Sequence, residues 1–586
     1  MLTRRAVLKC GLVAAGAALL PSKATRSYAD IRLPSLQLTP FVDKLPFPPD
    51  HTPVGSLHPL PNQAVHQYFN FEDTVLGLPP LSPLLYEVDQ TEALHQFHRD
   101  LPGTLIWGYN GSLPGPTFKV YQVTQATYRE VQARPVLVRF HNHLPQDHTG
   151  FGVPVTTIHF HGGHQEPYSD GFPGALADIA SCKGQLERFF APFPPGGAFE
   201  PGAFFDCYFP LRDPGFSFGQ HEVNDRPATL WYHDHLLDFT GPNVYKGLAG
   251  FFLVFDELDT GDETGTRFPG TNMRLPSDAF DVPLVIQDKA FDAQGRLLFD
   301  TFEHDGFLGN QFVVNGTIQP FFEVKRRKYR FRLLNGSNAR VYQLFLSQAP
   351  NSKTVFHFDQ IATEGGLLSA PIRGIDNFRL HPAERVEIVV DFADPQFKGV
   401  TAVYLENRLQ QDNGRGPDGL GAGTPLLQFR LLDERPEDPS RVPDTLRRHN
   451  TISPAELAGV TRRTFEFERS NGAWAINGQF VDLCAPVAQI PVNATERWRL
   501  VNKSGGWVHP VHIHLSFLHV LSRNGQVPPL NERDGNALKD TIYLGPNDEV
   551  EIAFHFRDFT GPYVFHCHNI EHEDMAMMAV FNVHAV

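Results

Sequence analysis

The chain is predicted to be an all-β protein built from three related domains, and three observations predict it. Pro, Gly and Phe each number 49 among 586 residues, a mixture suited to many short strands joined by turns rather than to long helices. A turn containing Asn-Gly, followed by a strand-like apolar run that ends in Asn, occurs three times. Asn110-Gly111 leads to VLVRFHN ending at Asn142, Asn315-Gly316 to YRFRLLN ending at Asn335, and Asn477-Gly478 to RWRLVN ending at Asn502. A second echo, HPAERVEIVVDF at 381–392 and GPNDEVEIAFHF at 545–556, repeats a strand pattern in the second and third units.

Along the chain, residues 1–29 read as a leader rather than as part of the fold. Thr3-Arg4-Arg5 precedes an apolar run from Gly11 to Leu20 that is too short to span a bilayer, and Ser27-Tyr28-Ala29 supplies small residues for cleavage. The pattern is that of a twin-arginine signal, which implies the twin-arginine export machinery as a partner and a periplasmic or extracellular location. The first domain is expected over 30–258, the second over 275–432 and the third over 455–586, with linkers where charge, Pro and Gly gather near 256–280 and 433–460. Gly414-Arg415-Gly416-Pro417-Asp418-Gly419 matches G-x-G-x-x-G, but Pro417 and the glycines after it leave no helix to hold a pyrophosphate, so a flexible loop is expected. A net charge of -15 argues against nucleic acid and anionic membranes as partners. Among five cysteines, a disulfide between Cys182 and Cys207 is compatible with export.

The chemistry concentrates in histidine pairs. HxH occurs at His141/His143, His159/His161, His233/His235, His512/His514 and His566/His568, where about one such pair is expected by chance for 27 histidines. His141/His143, beside the repeated Asn142, is the expected chance pair. On a strand, residues i and i+2 share a face and i+1 takes the other, so His566-Cys567-His568 sends two imidazoles one way and a thiolate the opposite way. One strand then serves two metal sites. Cys567 with His509, His572 and a weak axial methionine suits copper; Met577 has the favoured offset, with Met575 and Met578 as competitors. Eight imidazoles remain, two pairs in the first domain and two in the third, a donor set suited to three coppers shared between those domains. Zinc would be satisfied by four ligands and has no use for the Cys-Met arrangement. The second domain carries no ligand and is expected to be a metal-free spacer.

HFHGGHQEPYSDG (159–171), LWYHDHLL (230–237), HPVHIH (509–514) and HCHNIEHEDMAMM (566–578) together resemble the four copper signatures of the multicopper oxidases. HQFHRDLPGTLIWGYNGSLPGPT, NVYKGLAG and EGGLL are similar to the branch holding bacterial spore-coat laccases, bilirubin oxidase and phenoxazinone synthase. The resemblance implies three cupredoxin-like domains and four copper ions. By position, type 1 copper falls to His509, Cys567, His572 and Met577, type 2 to His159 and His512, and the type 3 pair to His161, His233, His235, His514, His566 and His568. It also implies roles beside the oxygen-reducing cluster for Asp170 and Glu573.

The expected reaction couples one-electron oxidation of phenolic or aminophenolic donors to four-electron reduction of dioxygen, in a monomer. A metallo-oxidase of Mn(II), Cu(I) or Fe(II) is the alternative. Its cuprous form is disfavoured because only Met273 lies outside the start residue and the terminal motif. A copper-storage or delivery protein would not need a cysteine between two imidazoles. His164, Glu166 and His519 are read as loop or packing residues rather than ligands.

Overall fold

The computed structural model describes residues 33–34, 36–174, 197–270 and 273–586; the leader expected over 1–29 and Cys182 lie outside them. The described residues are mostly strand, and the longest described helices, Gln125–Val131 and Thr240–Lys246, have seven residues each. None is long and apolar enough to cross a membrane. The strands form three successive pairs of sheets. Two four-stranded sheets lie between Leu84 and Phe255, sheets of eight and six strands between Asp281 and Leu431, and two five-stranded sheets between Arg462 and His584. Each pair encloses its own apolar core, for example Trp498 with Phe465, Phe554 and Phe565 in the last pair.

The recurring Asn-Gly and terminal Asn do the same physical work in every unit. Asn110, Asn315 and Asn477 adopt positive φ of 53°, 48° and 51°, which Asn tolerates because its short side chain bonds locally. Their Oδ1 atoms accept from the backbone N–H of Asp89, Val285 and Glu466 at 2.8, 2.9 and 2.7 Å, tying each turn to the strand before it. That preceding strand runs parallel to the one bearing the second recurring Asn: Leu84–His95 with Val136–His143, Asp281–Phe291 with Lys328–Asn335, and Arg462–Ser470 with Thr495–Asn502. The side-chain amides of Asn142, Asn335 and Asn502 then donate to buried loop carbonyls, and their oxygens accept from the N–H two residues on.

One feature differs from the sequence reading and a second adds to it. Cys207 is free and buried, whereas Cys484 is disulfide-bonded, so Cys207 does not form the bridge considered for it. Cys207 sits on the strand Phe204–Phe209 inside the first core, where apolar packing rather than spacing decides its state. The glycine-rich stretch expected to be a loop at 414–419 is anchored at its start, where a Cβ on Gly414 would collide with the Asp305 backbone and the Arg415 carbonyl accepts from the Val508 N–H at 3.1 Å, while Asp418 and Gly419 are exposed and Gly419 opens the strand Gly419–Leu431.

Candidate metal centres

Strand parity builds two centres back to back. In His509–Ile513, His509 shares a face with Val511 and Ile513 of the third core, while His512 takes the other face. The neighbouring strand Gly561–Cys567 is in register with it, pairing Val511 with Cys567 and His512 with His566. Cys567 therefore meets His509 on the core side, and His566 meets His512 behind. In the first unit, Ile158–His161 pairs with Thr229–Asp234 so that His159 lies opposite His233.

On the core side, Cys567 Sγ is 3.5 Å from both His509 Nδ1 and His572 Nδ1, which are 3.2 Å apart. A point equidistant from the three lies about 2 Å from each, the bond length of a transition metal to imidazole and thiolate. His572 is carried on the short helix Ile570–Asp574, whose Asp574 accepts from Thr240 and Gly241 of the first unit at 3.0 and 2.9 Å. Met577 packs in the same core cluster as Cys567 and accepts its N–H at 3.0 Å, whereas Met578 belongs to a different cluster and Met575 is only half-buried.

The rear centre gathers the four other pairs. His159 Nε2 is 3.2 Å from His512 Nε2, His235 Nε2 is 3.1 Å from His566 Nε2, and His514 Nε2 is 3.4 Å from His566 Nε2. Three groups place one nitrogen per residue within 4.8 Å of the others: His159, His512 and His514; His159, His161 and His233; and His235, His514 and His566. His568 joins through its ring, 5.2 Å from that of His161 and 5.5 Å from that of His233. All eight are buried.

Asp170 and Glu573 flank this centre. Asp170 Oδ2 is 2.6 Å from His514 Nδ1, and its carbonyl oxygen is 2.7 Å from His159 Nδ1. Glu573 Oε2 is 3.0 Å from His566 Nδ1 and Oε1 is 3.6 Å from His235 Nδ1. Burial pushes the Asp170 carboxyl up; at Glu573 the same burial is opposed by the neighbouring His566 and His235, which hold it down at about 2.

The donors suit metal. Burial holds His509 and His568 at about 3 and pushes His161, His233, His235, His512, His514 and His572 well down, so their imidazoles are neutral with a lone pair to give. His161 Nδ1, His233 Nε2 and both nitrogens of His568 are buried without a hydrogen-bond partner. Burial pushes the Cys567 thiol well up, so a thiolate there needs a bound cation. Two imidazoles, a thiolate and a thioether select copper over the harder divalent ions.

Several supporting residues carry no motif. Ser504 Oγ lies 2.8 Å from His509 Nε2, and the Asp305 carbonyl, from the second unit, lies 3.2 Å from His572 Nε2. Asp540 places its carbonyl oxygen 2.8 Å from His512 Nδ1. The repeat points to Ser504, two residues after Asn502; nothing in the sequence points to Asp305 or Asp540. The residues read as bystanders are elsewhere: His141 and His143 face Glu87 and Asp89, His164 bonds Asp558 at 2.8 Å, Glu166 bonds His66 at 2.6 Å, and His519 bonds Asp534 at 2.7 Å.

A cavity of about 570 Å³ bounded by Glu222, Asp225, His449 and Arg557 adjoins a narrower one of about 30 Å³, the two sharing Glu222, Asp225, His519 and His555. The narrower space shares Gly162, Gly163, Ser516 and Phe517 with a third, of about 10 Å³, walled by His159, His512 and His514. Both inner spaces are far narrower than the outer one and are roomy enough for water.

A family model described as multicopper oxidase matches residues 451–585. The chain is 33% identical to the bilirubin oxidase of Albifimbria verrucaria, over 85% of this chain and 76% of that one. It is 30% identical to the laccase of Bacillus subtilis, over 85% and 94%. Among solved structures, the multi-copper oxidase of Pediococcus acidilactici superposes with a TM-score of 0.69 at 24% identity, over 95% of each chain, which speaks for the fold. McoA of Aquifex aeolicus gives 0.64 at 25% identity, over 86% and 98%. With its strand-borne thiolate and its clustered imidazoles, the chain belongs to the multicopper oxidases, copper-dependent oxidoreductases that reduce dioxygen.

Proposed function

We propose that the protein oxidises phenolic and aminophenolic donors in laccase fashion with four coppers. His509, Cys567, His572 and Met577 would hold the first, His159 and His512 the second, and the remaining six histidines a coupled pair. The observation that carries the reading is the opposition of Cys567 to His566 and His568, which joins a single-metal site to a multi-metal site by one residue of backbone. Copper held by these residues would supply the redox chemistry, one-electron oxidation of the donor coupled to four-electron reduction of dioxygen.

The chain's residues divide that work. The buried Trp474 packs on His572 at 4.0 Å between ring centroids and the half-buried Trp507 lies 6.1 Å from the same imidazole, with the Arg469 guanidinium over both indoles, so aromatic rings wall the donor-side centre. The narrow inner cavities that reach His159, His512 and His514 give small molecules such as dioxygen and water a route to the oxygen-reducing centre. Asp170 and Glu573 orient His514 and His566 and hold carboxyl groups where protons are consumed, four for each dioxygen. The twin-arginine leader would carry the folded, metal-loaded monomer out of the cytoplasm.

Oxygen uptake by the copper-loaded protein, measured with phenols, aminophenols, bilirubin, Mn(II) and Cu(I), tests the reading. Uptake with the organic donors at four one-electron equivalents per dioxygen is expected. Uptake with only the metal ions would overturn the donor class.

A further inference from the structure

We propose that Asp540 and Arg385 form a positioning pair for the rear centre, through which the middle unit sets the orientation of two metal-binding histidines. This rests on the reading of the eight imidazoles as a copper cluster. An imidazole binds metal through one nitrogen, and the bond made by the other fixes which nitrogen that is. Asp540 fixes both kinds of choice at once. Its carbonyl oxygen receives His512 Nδ1–H at 2.8 Å, leaving Nε2 for metal. Its carboxylate Oδ1 lies 3.3 Å from His161 Nε2, leaving Nδ1, a buried nitrogen with no other partner. His161 belongs to the first unit and His512 to the third, so one residue aligns ligands from both sides of the junction.

A buried carboxylate stays in place only if it is paired. Arg385 grips Asp540 with both guanidinium ends, Nη1 to Oδ1 at 3.0 Å and Nη2 to Oδ2 at 2.6 Å. It is itself fixed by donating to the carbonyls of Thr229, at 2.9 Å, and Ala383, at 3.0 Å. Arg385 starts the strand Arg385–Asp391, and in the echoed segment of the third unit the equivalent position is Glu549, so the arginine departs from the repeat where it reaches the metal site. Gly162 makes room for the pair: with φ of +87°, a Cβ there would stand 2.6 Å from Arg385 Nη2 and 2.7 Å from Asp540 Oδ2. Asp540 also walls the small cavity beside His159, His512 and His514.

The test compares copper-loaded parent protein with Asp540→Asn and Arg385→Lys. It follows copper per chain during exposure to a chelator, the type 2 resonance and the blue absorption of the Cys567 centre. Asp540→Asn keeps the backbone carbonyl but loses the charge that holds Arg385, and should release copper from the rear centre about tenfold faster or more. Arg385→Lys keeps the charge without the fork and should fall between. The blue band should persist in both variants. Equal release from parent and variants, or loss of the blue band in step with the rest, overturns the positioning role. If Asp540→Asn does not fold, Arg385→Lys decides by the same criterion. A parent that takes up no copper at the rear centre would instead overturn the cluster assignment.

Discussion

At the scale of single residues, burial decides what each donor does. Asp170 and Glu573 touch imidazoles of the rear cluster, His514 and His566, so their removal should divide the reaction. Asp170→Asn and Glu573→Gln should slow reoxidation of the reduced enzyme by dioxygen about tenfold to a hundredfold, while reduction of the blue centre by donor keeps its rate. Stopped-flow traces of the two half-reactions check this, and unchanged reoxidation would remove the carboxyls from proton supply. The histidine pairs that cluster were legible in the sequence because alternation on a strand is encoded by spacing, whereas Asp170 and Glu573 were pointed to only by the resemblance to the multicopper oxidases. Ser504, Asp305 and Asp540 hold histidines from positions 5, 267 and 28 residues away, and only tertiary packing brings the last two there.

At the scale of elements, the repeated asparagine is a clamp whose worth can be measured apart from metal. Asn335 closes the second unit by donating to the carbonyls of Arg340 and Leu380 at 2.8 and 3.0 Å and accepting from the Ser337 N–H at 3.0 Å. Asn335→Ala strands those buried groups and should cost about 1–3 kcal/mol in chemical unfolding, with copper content unchanged. Asn502→Ala removes the same clamp and also the acceptor of Ser504 Oγ–H at 2.6 Å, so it should broaden or shift the blue band as well. Equal spectra for the two variants would mean that Ser504 does not hold His509 through Asn502. The three-unit architecture was readable because the turn and the clamp each need Asn. The cysteine state was not, since Cys207 is decided by core packing that spacing does not encode.

At the scale of the molecule, the units are bound to one another by more than the metal centres. Residues ahead of the first sheet run past all three: Leu45 enters the core of the second unit, Tyr68 and Phe71 pack on that of the third, and Leu78 and Leu81 enter that of the first. This arm carries no motif, and its reach could not be read from the sequence. Between the first and second units, Lys289 is wholly buried, donating to the Tyr245 carbonyl at 2.6 Å, and burial holds its ammonium down at about 7. From about pH 7 to the ordinary lysine value the unfolded chain therefore binds a proton that the folded chain does not, so Lys289 makes stability rise with pH across that window. Lys289→Met should lack this rise, and parallel stability curves for the two proteins between pH 7 and 10 would contradict it. The central claim is that one strand serves two metal centres. The most direct measurement is a copper-edge anomalous difference map from a crystal of the copper-loaded protein. The account predicts one peak among His509, Cys567 and His572 and three more among the eight rear imidazoles; peaks elsewhere, or none on one side of the strand at full loading, would contradict it.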